Sequence, residues 1–129
     1  MNYLLDTSWI VGHLRGTLQI VSRIQEFYEK GLAVSIVSVA ELYEGVFRSN
    51  QPDANEESLK DFLSTVTVLG ITEDVAKRYG EERSKLLHTG NLIGALDLLI
   101  AATARTHDLV LLTSDQDFTR IEGLNVRLG

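Results

Sequence analysis

The sequence predicts a three-layer α/β/α sandwich around a mainly parallel central sheet, and three observations lead to it. Short apolar runs alternate along the chain with longer segments whose apolar residues recur at helical spacing. Strands separated by helices in this way form parallel βαβ units. The chain has 129 residues, the size of one domain with a real core. No repeat, low-complexity tract or linker rich in Pro, Gly and Ser divides it, so residues 1–129 read as a single domain.

Asn2 to Leu5 is a short apolar opening, read as a buried strand that ends at Asp6. Thr7 and Ser8 are suited to cap a short helix through Leu14, which Gly16 closes. Leu18, Val21, Ile24 and Tyr28 recur at helical spacing, and Gly31 supplies a stop. Ala33 to Val37 is β-branched enough for a second strand. From Val39 the period turns helical again: Val39, Leu42, Tyr43, Val46 and Phe47 share a face, and Glu41 lies off it. Pro52 sits in a polar patch from Ser49 to Asn55, read as a loop.

Leu59, Phe62 and Leu63 then mark another helix, and Val66 to Ile71 a third strand. Thr72 caps the next helix, with Glu73 and Asp74 in its first turn, where the dipole favours acids. It runs to about Leu87 and stops near Gly90. Leu96 to His107 reads as a helix buried on most sides, because few of its positions are polar. Leu109 to Leu112 is a strand leading into Thr113-Ser114-Asp115, and Val126 to Leu128 adds a last short one.

Composition narrows the function classes. At 44% hydrophobic and 23% charged residues the chain is neither disordered nor fibrous. It has no cysteine, which removes disulfide frameworks, thiolate zinc sites and cysteine nucleophiles together. That fits a reducing cytosol, and a cytoplasmic location is expected. The opening Met-Asn-Tyr-Leu-Leu-Asp carries no basic segment and no long apolar stretch, so no signal peptide is expected. The longest apolar region, Leu92 to Ala104, is interrupted by Asp97 and too short to span a bilayer, so no membrane is expected as a partner. The formal charge of −6 argues against an overall basic grip on nucleic acid. Acids gathered around a cation would give the same number, so their placement matters more than their sum.

Ligands of parallel sheets bind outside the carboxyl ends of the strands. Asp6 follows the first strand, Glu41 comes shortly after the second and Asp115 follows the fourth. Asp97 has Ile93, Gly94, Ile100 and Ala101 as its neighbours one turn away, with no lysine or arginine among them. Burying an ionised aspartate there without a partner is costly; capping of the helix N-terminus is the structural alternative. Like charges at ~4 Å repel by about 4 kcal/mol at an effective dielectric near 20. Such a group persists only if some members are protonated or a cation sits among them. Magnesium and manganese prefer hard oxygen ligands, and a bound cation serves phosphodiester hydrolysis without a Cys, His or Ser nucleophile.

These residues carry a family resemblance. Asp6-Thr7-Ser8 after an N-terminal strand resembles the opening of a PIN domain. Ser38-Val39-Ala40-Glu41-Leu42 resembles its second motif, and Asp97-Leu98-Leu99-Ile100-Ala101-Ala102 its third. Thr113-Ser114-Asp115-Gln116-Asp117-Phe118 resembles the fourth. The resemblance covers essentially the whole chain, and its compact length is similar to the VapC-type toxins of prokaryotic toxin–antitoxin pairs. It implies a PIN-like fold and a Mg²⁺- or Mn²⁺-dependent endoribonuclease. Asp6 and Asp97 would be metal ligands, with Glu41 and Asp115 completing the catalytic and metal-binding set directly or through waters. Thr7, Ser8 and Thr113 would orient carboxylates or waters; Asp117 would reach the site or cap the next turn. The implied partners are an RNA substrate, an antitoxin protein and a second copy in a homodimer. The apolar faces around Leu42–Phe47 and Val75–Tyr79 either serve those contacts or pack on the sheet.

Other residues read more plainly. His13, His88 and His107 lack metal-ligand spacing and suit surface or helix-end roles. Trp9, Tyr43 and Phe47 fill the core or a dimer contact. Glu81 and Glu82 read as a solvated helix face. Arg15, Arg48, Lys77, Arg78, Arg83 and Lys85 are the cations spread for phosphate contact or for ordinary surface charge. Two competing functions are a non-catalytic PIN protein that regulates through a DNA-binding partner, and an aspartyl-phosphate enzyme. The second requires an aspartate two positions after Asp6, where this chain has Ser8.

Overall fold

A computed structural model describes residues 2–90 and 93–129. Leu92, at the start of the longest apolar run, lies outside the described residues. Five strands, β1 (Tyr3–Leu5), β2 (Leu32–Ser35), β3 (Thr67–Leu69), β4 (Val110–Thr113) and β5 (Val126–Leu128), form one sheet in the order β3-β2-β1-β4-β5. Every pairing is parallel, with Tyr3 opposite both Leu32 and Val110, and Leu5 opposite Val34 and Leu112. β1 is therefore central, and the order reverses between β1 and β4. That reversal opens a crevice at the carboxyl ends of these two strands.

Alternation along the strands feeds two cores. On one face Tyr3, Leu5, Val34 and Leu112 pack against α1 (Thr7–Leu14), α2 (Leu18–Phe27), α3 (Ile36–Arg48) and α4 (Pro52–Leu63). On the other, Leu4, Ala33 and Leu111 meet residues of α5 (Glu73–Thr89) and α6 (Ala95–Thr106), together with Phe118 and Ile121. The outcome is the three-layer sandwich expected from the sequence. Among the described residues no helix is long and apolar enough to cross a membrane.

The structure departs from the sequence expectations at several local points. Asp6, and not Thr7 or Ser8, is the cap residue of α1, and its side chain makes no capping bond. β2 ends at Ser35, whose hydroxyl accepts from the Val37 amide and starts α3 three residues earlier than the apolar period implies. Pro52 occupies the first turn of α4, where its missing N–H costs nothing, so most of the expected loop is helix. The inner stripe of α2 is Ile20, Ile24 and Phe27, which leaves Leu18 80% exposed. Phe47 is 69% exposed, stacked beside Tyr43 at 6.1 Å between ring centroids, and does not fill the core, whereas Trp9 does.

Glu82 overturns its reading as a solvated residue. It is buried between α5 and α6 and paired with Arg105. Gly123 makes room for this pair. Its φ of +82° suits glycine, and a Cβ there would stand 2.9 Å from an Arg105 guanidinium nitrogen.

Candidate active site

The crevice between β1 and β4 collects side chains from both ends of the chain. Asp6 leaves β1 almost wholly buried. Its Oδ2 accepts from the Thr113 hydroxyl at 2.7 Å and from the Ser8 hydroxyl at 3.0 Å. Both donors are on one oxygen, so Oδ1 takes no side-chain hydrogen bond among the described residues. Ser8 in turn accepts from the Ser114 amide at 3.2 Å, and Thr113 accepts from the Asp115 amide at 3.0 Å. The exit of β4 is thus laced to the start of α1.

Glu41 comes from α3. Thr7, one residue past Asp6, donates to Glu41 Oε1 at 2.7 Å and lies 2.9 Å from Ser38 Oγ. Ser38 is fully buried on the same face of α3, three residues before Glu41. It belongs to the scaffold around Glu41; the sequence placed it in the second motif but gave it no role, and its i, i+3 spacing from Glu41 is the signal for one. Ser114, within the fourth motif, likewise had no role assigned from the sequence and holds the β4 exit through its backbone amide.

Asp97 is the third residue of α6, whose cap is Gly94. Capping therefore does not account for it. Half-buried, it has no hydrogen-bond or ion-pair partner among the described residues. Burial pushes its carboxyl up from 3.8 to about 6, and the charges of Asp6, Glu41, Asp115 and Asp117 push the same way, in that order. A helix N-terminus favours a carboxylate, so desolvation and like charge outweigh the dipole here. That all four acids act on one carboxyl brings together the residues that the sequence set apart along the chain.

Asp115 caps the short 3₁₀ turn Gln116–Arg120 by accepting from the Asp117 amide at 2.9 Å. The capping role expected of Asp117 belongs to Asp115. Asp117 itself is exposed, 3.4 Å from Arg120, and it adds to the field on Asp97.

The donor set suits a hard divalent cation: four carboxylates and neighbouring hydroxyls, with no sulfur or imidazole. Among the described residues no three acids stand close enough to enclose an ion by themselves. Water would have to complete the shell, which is the habit of magnesium. None of the cations expected to meet phosphate neutralises this cluster. Arg48 pairs with Glu44 along α3 at 3.0 Å, and Arg83 donates to the Ile93 carbonyl at 3.3 Å.

The chain is similar to known proteins in both sequence and fold. The PIN domain family profile matches residues 3–124. The chain is 36% identical over 126 residues to ribonuclease VapC2 of Haemophilus influenzae, covering 96% of this chain and 95% of that protein. It is 26% identical over 125 residues to the tRNA(fMet)-specific endonuclease VapC of Shigella flexneri, covering 96% and 95%. Among solved structures, VapBC2 from Rickettsia felis, bound to a DNA fragment from its promoter, contains a chain that superimposes with a TM-score of 0.94. That chain is 29% identical, and the match covers 100% of this chain and 99% of its counterpart.

Proposed function

Since the chain belongs to the PIN domain family, we propose that it is a metal-dependent endoribonuclease, the toxin of a toxin–antitoxin pair, acting as one cytoplasmic domain. The observation that carries the reading is Asp97. It is a half-buried carboxyl with no cationic or hydrogen-bonding partner among the described residues, raised to about 6 by burial and by four other acids. A fold keeps such an unfavourable gathering when its charge is used.

A Mg²⁺ or Mn²⁺ ion held by Asp6 and Asp97, with Glu41 and Asp115 directly or through water, would supply Lewis-acid stabilisation of the phosphodiester undergoing attack. The chain's own part is orientation. Ser8 and Thr113 fix Asp6 through Oδ2 and leave Oδ1 without a side-chain hydrogen bond among the described residues, while Thr7 fixes Glu41 through Oε1. Asp97 must release its proton before it binds a cation, so rising pH favours cation binding at this site.

Partners follow the same reading. An apolar groove of about 250 Å³ between α1, α3 and α4, lined by Val11, Leu14, Leu42 and Val46, supports docking of an antitoxin segment. The exposed Phe47, stacked on Tyr43, supports a homodimer contact. The test is cleavage of single-stranded or looped RNA by the purified chain, with and without chelator. Chelator, Asp6→Asn and Asp97→Asn should each abolish cutting. Full activity of a folded Asp97→Asn protein would sink the mechanism, and RNA binding without cleavage would favour a regulatory role.

A further inference from the structure

The flank of the sheet beside the acid site carries the opposite charge. α2 leads back to the start of β2, so it runs antiparallel to the strands. Leu18 then lies at the acid edge of the sheet and Phe27 at the far edge. Along this flank three cations each lie over an aromatic ring: Arg23 over Trp9 at 5.0 Å, Arg127 over Tyr3 at 5.7 Å and Lys30 over Phe27 at 5.9 Å. The rings of Tyr3 and Phe27 are themselves 4.4 Å apart, which joins α2, β5 and the turn Tyr28–Lys30 into one strip.

Among the described residues none of these cations pairs with an acid, although Glu26 and Glu29 are on the same segment. Stacking steadies their stems and leaves their charge in place. In a chain of net charge −6, an unneutralised basic strip is a local feature that asks for an anion.

The strip meets the acid site at Gly129. The Gly129 amide donates to the Thr113 carbonyl at 3.0 Å, and its carbonyl accepts from the Ser114 hydroxyl at 2.8 Å. A Cβ at this position would overlap the Arg23 guanidinium and the edge of Trp9, so Arg23 lies against the segment that presents Thr113 and Asp115. Beside it Leu18, Gln19, Ser22 and Arg23 line a shallow depression of about 450 Å³. An apolar wall with an amide and a hydroxyl is what an unstacked base requires: a surface for its face and partners for its edge.

We infer that the strip of Arg23, Arg127 and Lys30 is the track for the phosphodiester backbone of single-stranded RNA leading into the acid site, and that the depression at Leu18 takes one base of that strand. The inference rests on the ribonuclease reading and adds the substrate's path to it. Continuity with the acid site favours a strand that must enter it over an acidic protein segment, which would need no such continuity. The cations set affinity without reading sequence, and Gln19 and Ser22 read the base.

The experiment measures binding of a fluorescein-labelled single-stranded RNA by anisotropy, with chelator present, across a salt series. The intact chain is compared with Lys30→Gln/Arg127→Gln, with Arg23→Gln and with the control Lys60→Gln. Melting curves establish that each variant is folded. Each lost cation should lower the slope of log affinity against log salt by about 0.7, and hence by about 1.4 for the double variant. With metal restored, KM should rise several-fold and kcat should hold. If the intact chain cuts RNA while a folded double variant keeps the parental slope and KM, the track is wrong and the ribonuclease reading stands. An intact chain that neither binds nor cuts RNA overturns both. Loss of binding to an acidic protein segment with the RNA slope unchanged would assign the strip to a protein partner and overturn the track.

Discussion

Thr113 and Asp6 stand 107 positions apart in the chain and 2.7 Å apart in the fold, hydroxyl to carboxylate. The register that sets Leu5 beside Leu112 makes them neighbours at the ends of β1 and β4. The same hydroxyl accepts from the Asp115 amide, so one side chain ties together acids from both ends of the sequence.

Thr113→Val keeps the shape and removes both bonds. Losing one partner of a buried group costs about 1–3 kcal/mol, read as a lower midpoint in urea. Asp6 is then free to turn, and misplacement of about 1 Å lowers turnover on the order of 10²-fold. Initial rates on RNA check this; an unchanged rate would mean that Ser8 alone holds Asp6.

Asp97→Asn separates function from stability. The variant should lose cleavage and yet melt higher than the intact chain in chelator, because it removes a carboxyl strained by burial and by its neighbours. Millimolar Mg²⁺ or Mn²⁺ should raise the melting temperature of the intact chain through preferential binding to the folded form. It should do so far less for the variant.

The pH dependence has a definite sign. Asp97 titrates near 6 in the fold against an ordinary 3.8, so between those values the folded chain holds a proton that the unfolded chain has lost. Stability in chelator therefore falls as pH rises through that window and stays lower above it. His13 opposes this. Burial lowers its value below 6.5, so its contribution is lost as pH falls through that point. Unfolding free energies of intact and Asp97→Asn protein, subtracted at each pH, isolate the first effect. A flat difference would refute it.

Glu82→Ala leaves Arg105 in a mostly buried setting without its partner. Breaking such a pair costs about 3–5 kcal/mol. The double variant Glu82→Leu/Arg105→Met should recover much of that loss, which chemical denaturation of all three proteins will show. Neither residue touches the acids, so metal-dependent cutting by any folded variant should persist.

The sheet was legible because each strand is a short apolar run set between helical periods, and parallel order follows from that alternation. The candidate acids stood out in the sequence because Asp6 and Asp115 follow strand ends, Glu41 lies on the helix after β2, and Asp97 has no cation one turn away. Placement that depends on partners distant in sequence was not legible. Glu82 looks solvated until Arg105, 23 residues later, is brought against it. Arg23, Lys30 and Arg127 have no sequence signal in common, since only the packing of α2 beside β5 makes them one strip. Ser35 shows the local limit. A β-branched run extends past it, and a single hydroxyl bond to the Val37 amide converts the remainder to helix.

The neighbouring positions of β1 and β4 also bear on the order in which the acid cluster can form. Asp6, Glu41 and Asp97 all precede Val110 in the sequence, whereas the strand and the hydroxyl that hold Asp6 follow them. Pairing of β4 with β1 is therefore the step that fixes Asp6, and a fold without it would hold the acids with their key carboxylate loose.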